Sequence, residues 1–229
     1  MPRIGVILAA AGRSQRFGAA TDKKPFVELR GQAVWLYSAE LFRAHPDVDR
    51  VVMVVSPEDM QSVSDRYRVE LEQLSIQLVA GGTERADSVE NGLQALGDEV
   101  DLVAVHDAAR PCVTREMIDR AFAAADRYGA AVVGTQVTST LKKVDSNGQI
   151  VETVDRRGVW MSQTPQVAKR HLLDEVFQGR GDTQPTDEAQ LLEAAGHSVW
   201  MVEGSPLNLK ITTQPDLKFA ELALQALSD

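Results

Sequence analysis

Basic residues crowd one short stretch near the start of the chain, GVILAAAGRSQRFGAATDKKPF at residues 5–26. A short apolar run ends there in small residues around Gly12, which would let backbone N–H groups approach a triphosphate. Arg16 and Lys24 could add positive charge to the same anion. The stretch contains neither G-x-x-x-x-G-K-[ST] nor G-x-G-x-x-G. A solvated surface turn would explain the same residues, but the position directly after an apolar strand favours a phosphate-binding loop.

Two further loops follow apolar runs and also carry charged residues. GGTERADS contains Arg85, and HDAARP contains Asp107 and Arg110. In a doubly wound sheet, ligands bind beyond the carboxyl ends of the strands. We therefore expect the three loops to lie on neighbouring strand ends and to form one anion-binding site.

Asp107 is the candidate metal ligand in this group. One carboxylate is enough to help hold Mg²⁺ when substrate phosphates supply the other oxygens. We interpret the adjacent His106 as a packed, hydrogen-bonded side chain without a catalytic role. Cys112 is interpreted as a buried thiol rather than as half of a Cys/His nucleophile pair.

Short β-favouring runs alternate with amphipathic helical stretches along most of the chain. This pattern is typical of a parallel sheet covered by helices on both faces. We predict an α/β fold with a doubly wound, mostly parallel sheet, built as one domain over residues 1–229. The predicted strands are 4–8, 51–55, 76–80, 102–105, 130–134 and 198–202, and the predicted helices are 34–45, 57–74, 84–96, one after an N-cap at Thr114, 169–178, 186–195 and one from about Pro215.

The alternation of short strands and helices is interrupted over about residues 137–160. Two β-favouring runs flank Ser146-Asn147-Gly148, and Asn-Gly between such runs is a strong hairpin signal. A hairpin of this size would project from the sheet as an arm. A second subunit is the simplest surface for it to pack on.

Composition excludes several classes of function. The formal net charge of −9 and the pI of about 5.0 argue against binding to nucleic acid or to an anionic membrane. No apolar run approaches the roughly 20 residues that cross a bilayer. The single cysteine fits a reducing compartment, so we expect a soluble, cytoplasmic protein.

The motifs closely resemble those of the 2-C-methyl-D-erythritol 4-phosphate cytidylyltransferases of the non-mevalonate isoprenoid pathway. LAAAGRSQRFG, GGTERADSV, VHDAARP, VDRRGVWMSQTPQ, TDEA and NLKIT occur in the family's order from residue 5 to about 213. The resemblance implies a Rossmann-like nucleotidyltransferase that uses CTP, a polyol phosphate and Mg²⁺. The attacking phosphate oxygen is already ionised, so such an enzyme needs charge neutralisation and in-line placement rather than a general base.

The resemblance also assigns roles to particular residues. It implies a catalytic set of Arg16, Lys24 and Lys210. It implies a nucleotide-binding set of Ala10, Ala11, Gly12, Gly82, Arg85, Ser88 and Asp107, in which Gly82 and Ser88 read the cytosine edge and Asp107 lies near the metal. It implies a substrate-binding set of Arg110, Thr140, Arg156, Thr164 and Thr186. In the family the arm crosses to the partner of a homodimer, which would carry Arg156 and Thr164 into the neighbouring site.

Two positions depart from the family pattern. Lys23-Lys24 stands where Pro-Lys is usual, and we assign the catalytic role to Lys24 because it directly precedes PFVEL. Ser14 replaces the second glycine of the loop. Three alternatives stay open at this point: a ribitol 5-phosphate cytidylyltransferase, a sugar-1-phosphate nucleotidyltransferase for another base, and a non-catalytic nucleotide-binding regulator.

Overall fold

A computed structural model describes residues 1–12, 23–181 and 183–228. The strands are β1 (Ile4–Ala9), β2 (Glu28–Leu29), β3 (Gln32–Ala33), β4 (Val48–Val55), β5 (Ile76–Ala80), β6 (Leu102–Asp107), β7 (Ala130–Gln136), β8 (Leu141–Val144), β9 (Ile150–Val154), β10 (Trp160–Lys169) and β11 (Trp200–Glu203). The helices are α1 (Val34–Arg43), α2 (Met60–Arg66), α3 (Arg68–Gln73), α4 (Arg85–Leu96), α5 (Arg115–Tyr128), α6 (Arg170–Gly179), α7 (Glu188–Ala194) and α8 (Gln214–Ser228).

Seven strands form the central sheet in the order β11-β7-β10-β6-β1-β4-β5. Every neighbouring pair is parallel except for the two pairs that β10 makes with β6 and β7. The predicted α/β fold with a mostly parallel sheet is therefore confirmed. The antiparallel strand β10 is an addition that the sequence pattern did not predict.

Apolar clusters cover both faces of this sheet. On one face Trp35 and Phe42 of α1 pack with Phe122 of α5 against the central strands. On the other face α4, α6 and α7 contribute a second cluster that includes Leu93 and Leu173. Strands with helices on both sides must be apolar on both sides, which explains the nearly continuous burial of β1, β4 and β6.

The helix boundaries follow local capping chemistry. Thr114 is the N-cap of α5, as predicted, and its hydroxyl accepts a hydrogen bond from the N–H of Met117. The stretch predicted as one helix over 57–74 instead forms a 3-10 turn at Pro57–Asp59 followed by α2 and α3. The two helices are separated at Tyr67, whose ring packs edge-on against Trp35 and whose hydroxyl donates to the carbonyl of Phe26. Among the described residues, no helix is both long enough and apolar enough to span a bilayer.

Strands β8 and β9 pair antiparallel where Asn147-Gly148 predicts a hairpin. The Asp145 carboxylate accepts hydrogen bonds from the N–H groups of Asn147 and Gln149, and Gly148 has a φ of +85°, which favours glycine. Residues of both strands are largely exposed. The use of this hairpin as an arm between subunits stays a prediction.

Candidate active site

The first loop leaves the sheet at the end of β1. The Ala10 N–H donates to the carbonyl of Val54, which keeps Ala10 buried, whereas Gly12 is exposed and a Cβ added there would meet no atom within 4 Å. Ala10, Ala11 and Gly12 therefore stand at the carboxyl edge of the sheet, as predicted. The predicted catalytic Arg16 lies outside the described residues.

Lys23 and Lys24 flank the start of a 3-10 turn at Lys24–Phe26. The Lys23 ammonium lies 2.6 Å from the carboxylate of Asp59 and 2.7 Å from the hydroxyl of Ser56, and it also contacts Glu58. Burial opposes its charge, but the bonds to these carboxylates raise the pKa of Lys23. Lys23 thus ties the loop to the segment that follows β4, and the assignment of Lys24 to the phosphates stays a prediction.

The loop after β5, which contains the predicted base-reading residues, does not lie next to the first loop in the sheet. We expected the three loops on neighbouring strand ends, but β4 separates β1 from β5. The two loops nevertheless meet above β4, because a Cβ added at Gly81 would lie 2.9 Å from the Cβ of Ala11 and 3.2 Å from the carbonyl oxygen of Val55. Glycine is required at position 81 for this close approach.

Ser88 organises the same loop from within. Its hydroxyl donates to the carbonyl of Glu84 at 3.0 Å and accepts from the N–H of Gly82 at 3.1 Å. Glu84 and Asp87 form a capping box at the start of α4. The predicted base-reading residues Gly82 and Ser88 are therefore hydrogen-bonded to each other, and Ser88 holds the shape of the loop.

Asp107 is the centre of a charged cluster at the end of β6. The ammonium of Lys210 lies 2.9 Å from Oδ2 of Asp107, and Nε of Arg110 lies 3.3 Å from the same oxygen. Burial would raise the pKa of Asp107, but the charges of Lys210, Arg110 and Arg85 outweigh it and hold that pKa well below its usual range. Asp107 is therefore an anion, and the structure brings together three predicted site residues, Lys210, Arg110 and Asp107.

The side chains of His106 and Thr164 hydrogen-bond to the backbone of this cluster. The Thr164 hydroxyl accepts from the N–H of Asp107 at 3.0 Å and pairs with Nδ1 of His106 at 3.1 Å. The His106 Nε2 pairs with the carbonyl of Arg110 at 3.1 Å, so Nε2 must donate and Nδ1 must accept from Thr164. Burial lowers the pKa of His106 to about 4, so the ring is neutral. The interpretation of His106 as a packed, hydrogen-bonded side chain agrees with this geometry.

The expected crossing of Thr164 into a neighbouring subunit is wrong. Thr164 belongs to β10 within the central sheet, is 4% exposed, and uses its hydroxyl on His106 and Asp107 of its own chain. The physical reason is the antiparallel pairing of β10 with β6, which sets Gln166 opposite Val105 and thereby places Thr164 beside the end of β6.

Arg85 makes a bidentate ion pair with Glu188, the first residue of α7. The two N–O distances are 2.5 and 3.0 Å, and the Glu188 side chain is 4% exposed. Burial disfavours the guanidinium charge, but the Glu188 carboxylate raises the pKa of Arg85 above its usual value. Arg85, the first residue of α4, therefore links the start of that helix to the start of α7.

The start of α7 is fixed by a network of amide and carboxylate groups. The Gln166 side chain donates to Asp187 and accepts from the N–H of Ala189, while Asp187 caps the helix. Thr186 is exposed and donates to the side chain of Gln190. Thr186 and Asp187 line a pocket of about 300 Å³ at the edge of the sheet.

Thr140 and Arg156 lie near the two ends of the hairpin and are exposed. The Arg156 guanidinium donates to the carbonyl of Thr138. Neither side chain has a contact to Asp107 among the described residues. Within one chain, the structure does not bring these two predicted substrate residues to the Asp107 cluster.

Sequence reasoning missed three residues of this region, Gln166, Glu188 and Asn208. Each lies inside a motif that was used only as a family signature, namely TPQ, TDEA or NLKIT. The signal that could have found Glu188 is a carboxylate directly after a helix cap, in a motif that also contains a predicted substrate residue.

Asp107 fits a metal that substrate phosphates help to hold. The described residues contain no group of three or more His, Cys, Asp or Glu side chains that could hold a metal alone. Both cations contact Oδ2 of Asp107, which makes Oδ1 the candidate ligand atom. By contrast, Cys112 is fully buried and burial raises its pKa to about 12, so the thiol is not a nucleophile.

Known proteins share this fold and sequence. The chain is 36% identical over 227 residues to a 2-C-methyl-D-erythritol 4-phosphate cytidylyltransferase from Syntrophus aciditrophicus, covering 98% of this chain and 97% of that protein. It is 38% identical over 220 residues to a bifunctional enzyme IspD/IspF from Desulfotalea psychrophila, covering 94% of this chain, and it spans 55% of that relative's length.

A solved structure gives the same result. The crystal structure of the 2-C-methyl-D-erythritol 4-phosphate cytidylyltransferase from Thermus thermophilus matches with a TM-score of 0.79 at 31% identity, covering 98% of this chain and 100% of that one. Residues 4–226 match the family described as IspD, 2-C-methyl-D-erythritol 4-phosphate cytidylyltransferase. The chain therefore belongs to this family of cytidylyltransferases.

Proposed function

We propose that this chain transfers CMP from CTP to 2-C-methyl-D-erythritol 4-phosphate, giving 4-diphosphocytidyl-2-C-methyl-D-erythritol and pyrophosphate. The observation that carries the proposal is the cluster of Lys210, Arg110 and Asp107 at the carboxyl edge of the sheet. Two cations and one anionic carboxylate are held there beside the glycine-containing first loop. A family member with this cluster intact has the groups that phosphate chemistry needs.

The reaction forms one P–O bond and breaks another. An acceptor phosphate oxygen attacks the α-phosphorus of CTP, and the bond from that phosphorus to the bridging oxygen of the β-phosphate breaks to release pyrophosphate. The attacking oxygen is an anion at neutral pH, so no proton has to be removed. The residues must therefore cancel the repulsion between two anions and hold them in line.

The charged side chains divide this work. Arg16 and Lys24 would stabilise the charge on the α-phosphate and on the leaving pyrophosphate, and Lys210 would assist from the opposite side. Backbone groups of Ala10, Ala11 and Gly12 would line the nucleotide. The base would lie against Gly82, where a carbonyl can accept from the exocyclic amino group of cytosine but would repel the corresponding oxygen of uracil.

Mg²⁺ would bind with Asp107 and the phosphates of CTP. The ion prefers oxygen ligands and commonly takes only one or two from protein carboxylates, which fits a site with a single anionic Asp. When bound, it would neutralise part of the triphosphate charge. Arg110 and Thr186 would then face the acceptor.

The hairpin supports a homodimer. Four apolar side chains of the hairpin are 37–62% exposed, although such residues favour burial: those of Val144, Ile150, Val151 and Val154. A second copy that covered this apolar surface would also bring Arg156 and Thr140 to a neighbouring acceptor site. The acidic composition and the single buried thiol favour a cytoplasmic enzyme that binds no nucleic acid.

The test is pyrophosphate release from the purified protein with CTP and Mg²⁺. Methylerythritol 4-phosphate, ribitol 5-phosphate and no acceptor would be compared, and each reaction would be repeated with UTP. We expect fast release only with CTP and methylerythritol 4-phosphate. If the enzyme prefers ribitol 5-phosphate, that compound is the acceptor instead. Comparable rates with UTP would show that the enzyme does not select cytosine. No pyrophosphate release with any acceptor would overturn the proposal.

A further inference from the structure

A fully buried asparagine, Asn208, fastens the loop that carries Lys210. Its side-chain Nδ2 donates to the carbonyl of Thr164 at 3.0 Å and to Oε1 of Gln163 at 3.2 Å. Gln163 in turn donates to the carbonyl of Ser205 at 2.9 Å. These bonds join the loop after β11 to β10, the strand beside Asp107.

The backbone of Asn208 also fixes Arg110. The Asn208 carbonyl accepts from Nη1 of Arg110 at 2.8 Å, while Nε of the same guanidinium faces Asp107. Further along the loop, the N–H of Ile211 donates to the carbonyl of Ala109 at 2.9 Å. Lys210 therefore lies between Asn208 and Ile211, two residues whose hydrogen bonds fix the loop.

The fastening matters because Lys210 is itself held loosely. Its side chain is 42% exposed, and its contact to Asp107 is the ion pair at 2.9 Å. A long, half-exposed lysine has many rotamers, so the position of its backbone sets how often the ammonium reaches the reacting phosphates.

The side chain of Asn208 uses its donors but not its acceptor. Its Oδ1 is buried and, within the part of the chain that the structure describes, has no hydrogen-bond partner. The amide cannot be reversed, because Oδ1 would then face the oxygens of Gln163 and Thr164. An unsatisfied buried acceptor lowers stability, so the amide of Asn208 fixes the loop to β10 at some cost to the fold.

From these observations we infer that Asn208 is a positioning residue that aligns Lys210 and Arg110 with the reacting phosphates. The inference rests on the proposed function, because it assumes that these two cations act on the reacting phosphates. Asn208 is fully buried, so it would act without touching either substrate.

The first experiment is steady-state kinetics of Asn208→Leu, which keeps the side-chain size and removes both donors. We expect kcat to fall about 10- to 100-fold, because a misplacement of about 1 Å can cost about 100-fold. CTP affinity, measured without acceptor, should change less than about threefold, because the loop with the predicted base-reading residues is untouched. The control is Val176→Ala, a buried truncation in α6, which should lower the melting temperature and leave kcat unchanged.

A double variant tests whether Asn208 acts through Lys210. In a Lys210→Ala background, adding Asn208→Leu should reduce kcat by a smaller factor than it does in the wild type, since one of the two groups to be positioned is already absent. Multiplicative losses in the double variant, or equal losses of kcat and CTP affinity in the single variant, would overturn the inference. If Asn208→Leu does not fold, Gln163→Leu loosens the same fastening from the other side and should give the same pattern.

A structural measurement separates this inference from the proposed function. Crystal structures of the wild type and Asn208→Leu would give the distance between Lys210 Nζ and Asp107 Oδ2 whether or not the protein turns over CTP. An increase from 2.9 Å to beyond hydrogen-bond distance supports positioning. An unchanged distance refutes it, whereas absence of pyrophosphate release by the wild type refutes only the proposed function.

Discussion

Replacing Glu188 by glutamine removes the charge opposite Arg85 at nearly constant shape. A fully buried pair broken on one side costs about 3–5 kcal/mol, because the remaining charge is left uncompensated. Here the Glu188 side chain is 4% exposed but that of Arg85 is 31% exposed, so water can reach the remaining guanidinium. With that screening we expect Glu188→Gln to lower the free energy of unfolding by about 2–3 kcal/mol.

Urea unfolding followed by far-ultraviolet circular dichroism measures this difference, at one protein concentration because a dimer would make stability concentration-dependent. With a slope of about 2 kcal/mol per molar urea, the midpoint should fall by about 1–1.5 M. Glu193→Gln is the matched control, since Glu193 lies on the same helix but is exposed. A loss below about 0.5 kcal/mol for Glu188→Gln, equal to that of the control, would refute the assignment of a buried, stabilising pair.

Individual side chains support four further predictions. Lys24→Ala should lower kcat by about 100-fold or more with little change in CTP affinity, whereas Lys23→Ala should lower only the melting temperature; the reverse ranking in steady-state kinetics would transfer the catalytic role to Lys23. Arg156→Ala should leave CTP binding intact and raise the KM for the acceptor; loss of CTP binding in an intact dimer would contradict its assignment. Thr114→Ala should cost about 1 kcal/mol in urea unfolding through loss of the α5 cap. Cys112 should resist iodoacetamide at pH 8 in the native state; rapid labelling followed by mass spectrometry would show that it is not buried.

Much of the site is predictable because its chemistry follows strand ends. Asp107 and Gly12 come directly after apolar runs, and parallel strands bring their carboxyl ends to one edge. The family motifs add Lys210, which is distant in the sequence and packs beside Asp107 through the loop after β11. Local pattern alone could not have paired these two residues.

The sequence pattern did not predict strand β10. Its residues include Ser162, Gln163, Thr164, Pro165 and Gln166, and polar residues with a proline argue against a central strand. The strand is nevertheless buried over 163–168. Its polar side chains hydrogen-bond to residues that are distant in the sequence, such as His106, Asp187 and Ser205, and such partners cannot be predicted from neighbouring residues.

The pairing of β7 with β10 has a consequence for change over evolution. The hairpin segment leaves Gln136 and returns at Trp160, two residues paired across the sheet, and the N–H of Val137 donates to the carbonyl of Val159 at 3.0 Å. The pairing of β7 with β10 therefore holds the two ends of the hairpin segment together, whatever the length of the segment. The cost of lengthening such a closed loop grows only with the logarithm of its size. Insertions or deletions near its turn can therefore accumulate while the sheet and the Asp107 cluster keep their register.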